Sequence, residues 1–295
     1  MIRTLYHLLR PLAAVPFAFA LTLGAVEAGF KNPLFFILML VVIILTVGGA
    51  GHIINSYFDR RVDAISKIKK DITMANQPFA RGAVTLQMGF WLFFGLNIAG
   101  LAALWAIGPK LFWLGLAIVM VSAAYSAPPL RLKSRPIFDI LANAGLAIMA
   151  TVLGFWFFAD KTSPLPWPLL VWLGLLVGAT YIFTLVVDYP DDLKNGIKTT
   201  AVWLGVKNIL RLGLGVYAAM LLTLAYSIWQ SPRVYQITLA PVLLFGFFKY
   251  LSLTKRHHQA RIRRAMFKAG AAAGAGLVIL VVVYSILFFV NLTHY

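Results

Sequence analysis

The 295-residue chain has no cysteine, which excludes a disulfide scaffold, thiolate metal sites and cysteine nucleophiles. Charge is scarce as well. Only 12% of residues are Asp, Glu, Lys or Arg, where a soluble protein has about a quarter. Acids are scarcest, nine against 26 bases, for a net charge of +17. Low-complexity tracts, long linkers and stretches resembling a soluble domain are all missing. A composition that is 61% hydrophobic, with a mean hydropathy of +0.86, excludes disorder and coiled coil. What is present is a succession of long apolar runs. They read as an all-α polytopic membrane protein.

A membrane span needs roughly 20 mainly apolar residues. That template predicts nine transmembrane helices, near 11–30, 34–57, 86–107, 111–127, 137–158, 167–187, 208–229, 234–252 and 270–292. Residues 1–295 are expected to form one intramembrane domain. Arg3 and Arg10 precede the first helix, with no small-residue cleavage site and soluble domain behind it, so no cleaved signal is expected. Of the 26 bases, 22 fall at the N-terminus and in the segments after helices two, four, six and eight. Only Lys31, Lys110, Lys161 and Arg233 lie on the other side. The bias places the N-terminus and the basic loops in the cytoplasm, in a cell inner or plasma membrane, with the C-terminus outside. The charge of +17 then reflects topology and anionic lipid headgroups, and nucleic acid is not needed as a partner.

Six of the nine acids fall in two short segments, at the cytoplasmic ends of helices two and six. Their separation by four helices suggests two repeated four-helix halves about an axis along the membrane normal, with a ninth helix added. In the first segment Asn55, Asp59 and Asp63 are spaced i, i+4, i+8, so a helix lines them along one face. Carboxylates in successive turns repel, which calls for a cation, and Mg²⁺ takes such oxygens together with substrate phosphates. In the second, Asp188 and Asp192 repeat the i, i+4 spacing with Asp191 beside them, although Pro190 argues against continued regular helix. Acids that merely solvate helix ends or pair with neighbouring arginines are the simpler alternative. That alternative does not explain why an acid-poor membrane chain gathers its acids at two repeat-related places. Acidic patches ringed by Lys and Arg suit a diphosphate bridged by Mg²⁺. A phosphate alone needs no membrane, whereas an isoprenoid tail does. The ligand expected is a polyprenyl diphosphate, its head at the cytoplasmic face.

These residues resemble a known family. Asn55-xxx-Asp59-xxx-Asp63 with Asp188-xxx-Asp192 is similar to the UbiA superfamily of intramembrane prenyltransferases. Asn76-Gln-Pro-Phe-Ala-Arg-Gly82 resembles the stretch that follows the family's first motif. Asp191-Asp-Leu-Lys-Asn-Gly-Ile-Lys-Thr-Thr200 with Leu204-Gly205 resembles the 4-hydroxybenzoate polyprenyltransferase branch, and Tyr125-Ser-Ala-Pro-Pro-Leu-Arg-Leu-Lys133 resembles chlorophyll synthases. Three departures bear on substrate choice. Ser56 stands where the family usually has Asp, and Gln77 where it has Arg with Arg81 nearby. The segment between Asp63 and Asn76 is long and carries Lys67, Lys69, Lys70 and Asp71.

The resemblance implies Mg²⁺-assisted ionisation of an allylic diphosphate and attack of an acceptor on the resulting cation. It implies Asn55, Asp59, Asp63, Asp188, Asp191 and Asp192 as metal ligands. Lys198, Arg131, Lys133 and Arg81 are candidate diphosphate contacts, with lipid headgroups as the alternative role for each. Tyr125 is a candidate substrate contact or an interfacial-belt residue. Asn143, one turn from Asp139, is a candidate acceptor contact, with interhelical hydrogen bonding the simpler role. His52 reads as satisfied within the bundle, and His257 and His258 as solvated loop. The leading function is prenylation of an aromatic acceptor such as 4-hydroxybenzoate for a lipoquinone such as ubiquinone. Tetrapyrrole, glycerol-phosphate lipid or carotenoid acceptors are the same-fold alternative. A transporter is the other class, opposed by acids near one surface and by the absence of an obvious broken-helix pair there.

Overall fold

The computed structural model describes residues 2–10, 13–30, 32–65, 78–160 and 162–255, and the described residues contain helices and turns but no strand. Two compact units divide the chain. One comprises Met1–Ser134 with Leu153–Ala159, the other Arg135–Val152 with Asp160–Tyr295.

The first unit contains α1 (Ile2–Leu9), α2 (Val15–Glu27), α3 (Pro33–Ile43), a π-helical turn (Ile44–Gly48), α4 (Gly49–Ile65), α5 (Leu86–Ile107) and α6 (Pro109–Ser126). The span expected at 11–30 is shorter than anticipated. Arg10 takes a left-handed φ of 46° after α1, and a proline in its first turn opens α2, which has 13 residues. Its successor is long: Leu34–Arg61 forms 28 continuous residues through the π turn. Asn32 accepts a hydrogen bond from the Phe35 amide at 3.0 Å to cap α3, and Thr85 caps α5 through the Met88 amide at 3.1 Å. Leu8, Ala50, Ile53, Phe79, Val84 and Phe93 form the buried core beneath α4. Elsewhere in the unit, Phe30 and Phe36 stack with centroids 4.7 Å apart, and Phe158 lies 5.8 Å from Phe30. Phe158 ends α7 (Phe138–Phe158), whose Gly154 sits so close to the Leu21 carbonyl that any Cβ would collide with backbone.

The second unit holds the start of α7, then α8 (Trp167–Lys194), α9 (Thr200–Gln230) and α10 (Val234–Lys255). The five residues between α8 and α9 make them antiparallel neighbours. They bury Leu173, Ile182 and Val186 from one helix and Ile209, Tyr217 and Met220 from the other. Two expectations are corrected here. The helix does not stop before Pro190 but runs to Lys194. Proline loses its own N–H and crowds the carbonyl four residues back, yet the final turn is fastened by Asn195, whose backbone and side-chain N–H groups donate to the Asp191 carbonyl at 3.0 and 2.7 Å. The next helix begins at Thr200 rather than near 208, but is broken at Gly205, where φ is 75° and ψ 157°. Only glycine adopts that conformation without strain.

Seven helices among the described residues are long and apolar enough to cross a membrane, and the helix expected at 270–292 lies outside those residues. Their outer faces are unlike those of a soluble protein: Leu222 is 73% exposed and Trp229 77%. Several in-helix hydroxyls are satisfied locally, as hydrocarbon favours. Thr22, Thr46 and Thr151 donate to the Ala18, Val42 and Ala147 carbonyls at 2.7, 2.6 and 2.9 Å.

Candidate active site

In the first unit, α4 presents Asn55 and Asp59 one turn apart, as the spacing predicts. Ser126, the last residue of α6, donates from Oγ to Asn55 Oδ1 at 3.1 Å. The chain then leaves the helix through Ala127, Pro128 and Pro129. Arg131 adopts a left-handed φ of 38°, and a single 3₁₀ turn follows, Leu132–Ser134. This compact turn is closed by Arg131 N donating to the Ala127 carbonyl at 2.8 Å and Ser134 N to the Arg131 carbonyl at 2.9 Å. It delivers Lys133 onto the motif. Lys133 Nζ lies 2.6 Å from Asp59 Oδ2 and 2.7 Å from Asn55 Oδ1, so an amide and a carboxylate oxygen share one cation. Arg131 Nη2 is 3.5 Å from Asp59 Oδ1, and its Nε is buried without a hydrogen-bond partner among the described residues. Tyr125 is half-buried in the final turn of α6. Arg60 folds back on its own helix, donating to the Tyr57 carbonyl at 2.8 Å with its guanidinium 5.3 Å from that ring. Ser56, next to the polar face, is buried with its hydroxyl unpartnered among the described residues.

In the second unit, Asp188, Asp191 and Asp192 are half-buried in the last turns of α8. Thr199 Oγ1 donates to Asp192 Oδ2 at 3.3 Å, and Ile197 N to the Asp192 carbonyl at 2.9 Å. Thr199 also caps α9, which ties the motif to the next helix. Lys198 is exposed in this connection. A further carboxylate, Asp139, is fully buried at the start of α7. It accepts from the Thr200 amide at 2.7 Å, from the Thr200 hydroxyl, and from the Ile140 amide at 2.8 Å. Thr200 Oγ1 in turn accepts from Ile137 N at 2.6 Å. Asp139 therefore latches the first turns of two helices together.

Residues 13–271 match the UbiA prenyltransferase family. The chain belongs to that family. It is a prenyltransferase and an integral membrane protein. Homogentisate phytyltransferase of Synechocystis is 28% identical over 60% of this chain and 58% of its own length. A 4-hydroxybenzoate octaprenyltransferase of Vibrio campbellii is 29% identical over 78% of each chain. Lycopene elongase/hydratase of Halobacterium salinarum is 32% identical over 65% of this chain and 66% of its own. Among solved structures, a UbiA homolog from Archaeoglobus fulgidus bound to GPP and Mg²⁺ shares the fold, with a TM-score of 0.73, 22% identity, and coverage of 94% of this chain and 99% of that one.

Membership of the UbiA prenyltransferase family removes the transporter alternative. The single break in α9, at Gly205 close behind the second motif, is not a broken-helix pair. In this UbiA-family enzyme the sequence-derived site residues fare unequally. Asn55, Asp59, Arg131 and Lys133 are brought together within the first unit. Arg81 is exposed, without a hydrogen bond or ion pair among the described residues. Asn143 makes no hydrogen bond between helices among the described residues: its Nδ2 donates to the Asp139 carbonyl one turn back, at 2.8 Å. The Asp63 side chain and residues 66–77, including Asn76 and Gln77, lie outside what is described. Among the described residues no three His, Asp or Glu side chains converge as a ready-made ion site. Sequence reasoning missed Ser126 as the partner of Asn55, although its place directly after Tyr125 was a usable signal. It also missed Thr200 as the partner of Asp139, for which no local signal exists.

Proposed function

We infer that this chain catalyses Mg²⁺-dependent transfer of a prenyl group from a polyprenyl diphosphate to an aromatic acceptor such as 4-hydroxybenzoate, yielding a lipoquinone precursor. The observation that carries this reading is the convergence of Asn55 Oδ1 and Asp59 Oδ2 on a single cationic atom, Lys133 Nζ, at 2.7 and 2.6 Å. Hard oxygens that already share one cation fit Mg²⁺, and the flanking Arg131, with a buried unpartnered Nε, fits a phosphate oxygen. Mg²⁺ would be held by Asn55, Asp59 and Asp63 and by Asp188, Asp191 and Asp192. When bound, it would stabilise the negative charge that gathers on the departing diphosphate. Arg131, Lys133, Lys198 and Arg81 neutralise the rest of that charge, and Tyr125 orients the head group. Apolar and aromatic walls keep water from the allylic cation until the acceptor, contacted by Asn143, attacks it.

The orientation belongs to the same reading: N-terminus and site cytoplasmic, C-terminus outside, with nine spans in two repeated four-helix halves plus one. A phenolic acceptor is favoured by the Vibrio and Synechocystis relatives. A carotenoid acceptor is the second reading, favoured by the Halobacterium relative. The deciding experiment incubates purified protein with one polyprenyl diphosphate, Mg²⁺ and a panel of phenolic, tetrapyrrole, glycerol-phosphate and carotenoid acceptors. Prenylated 4-hydroxybenzoate, abolished by EDTA, is the expected product. Turnover confined to a non-phenolic acceptor would replace the acceptor assignment, and EDTA-insensitive turnover would remove the metal.

A further inference from the structure

We propose that Lys133 is an internal counter-ion that competes with metal for the Asn55–Asp59 oxygens and is drawn off them by an arriving diphosphate, so that metal entry is coupled to substrate entry. This rests on the reading that Asn55 and Asp59 hold Mg²⁺. The Lys133 ammonium sits on one oxygen of each residue, at 2.7 and 2.6 Å, and its side chain is only 12% exposed. A divalent ion cannot use the same lone pairs while the ammonium remains, and the two cations repel each other in a poorly hydrated setting. Metal binding to the empty enzyme must therefore displace a partly buried, charge-assisted pair.

A diphosphate offers the ammonium several anionic oxygens in place of one carboxylate oxygen and one amide oxygen. Lysine suits that exchange, being a compact charge on a flexible four-carbon stem. Its backbone is held by the closed turn that begins at Arg131, so the side chain swings while its anchor stays. Arg131, at 3.5 Å from the other Asp59 oxygen, keeps part of the counter-charge in place during the exchange. Diphosphate and metal then strengthen each other's binding by the same factor, as linkage requires.

The test is Mn²⁺ binding to the purified full-length protein in detergent, read from the electron paramagnetic resonance of free Mn²⁺ with no diphosphate present. Lys133→Met is expected to bind Mn²⁺ about tenfold more tightly than the wild type, the scale of one partly buried ion pair. Lys133→Arg, which keeps a cation, should stay at the wild-type value. Unchanged or weaker Mn²⁺ binding by Lys133→Met overturns the proposal. So does an equal tightening by Lys207→Met, which removes one exposed positive charge from α9. Lys133→Gln repeats the test if the methionine variant fails to purify as a monodisperse species. Asp59→Asn separates the two levels of inference. If it abolishes Mn²⁺ binding while Lys133→Met has no effect, only the counter-ion role fails; if it leaves Mn²⁺ binding intact, the metal assignment of Asp59 fails.

Discussion

Two aspartates at helix ends, Asp59 and Asp139, are held in opposite ways. Asp59 is partly exposed and takes its counter-charge from two side chains, Lys133 and Arg131. Asp139 is fully buried and takes three hydrogen bonds from Thr200 and Ile140, two of them from backbone amides. Cations on flexible stems can be exchanged for other cations. Backbone donors cannot leave without unwinding a helix. The first arrangement is suited to binding chemistry and the second to holding α7 and α9 in register, so an acid in this membrane protein is not by itself a sign of catalysis.

The contrast can be broken first at Asp59. Asp59→Asn should lower turnover by about 10²–10³, the scale of losing one preorganised electrostatic group, while the melting temperature barely moves. A steady-state assay paired with a thermal melt checks both halves, and a large stability loss with intact turnover would reverse the two roles. Asp139→Ala should do the opposite. Leaving the buried Thr200 donors unpaired costs about 1–3 kcal/mol of stability, visible as a lower midpoint in thermal unfolding, with the KM for prenyl diphosphate of the folded fraction unchanged. The smallest effect is expected from Ser126→Ala, which removes the 3.1 Å hydrogen bond to Asn55. A neutral hydrogen bond is worth about 0.5–1.5 kcal/mol, so the Mg²⁺ concentration for half-maximal activity should rise a few-fold at constant maximal rate. A fall in the maximal rate with no change in Mg²⁺ dependence would place Ser126 outside the metal site.

Legibility in the sequence followed the range of the interaction. Apolar runs announced the long helices because hydrocarbon demands about 20 such residues wherever they occur. The i, i+4 pairs announced their shared faces because helical geometry is local. Partners distant in sequence were not legible: Lys133 meets Asp59 across 74 positions, and Thr200 meets Asp139 across 61. The family resemblance implied Lys133 as a diphosphate contact, but its pairing with Asn55 required the turn that starts at Arg131. Pro190 misled because its cost was weighed without the hydrogen bonds from Asn195 that secure the following turn. Gly205 appeared in the sequence as part of a family-like stretch, and only its φ of 75° identifies it as a break.

The π turn at Ile44–Gly48 has a consequence for transplanting the first motif. A wider turn admits one residue more than an α-helical turn does, and one residue corresponds to about 100° of rotation about the helix axis. Everything after Gly48 is therefore phased differently from what precedes Ile44, and the azimuth of Asn55 and Asp59 depends on that offset. A chimera that kept α4 residue for residue but shortened this turn by one would carry both ligands intact while aiming them roughly a quarter-turn away from Lys133. The motif's address thus includes five residues, Ile44 to Gly48, that bear no charge at all.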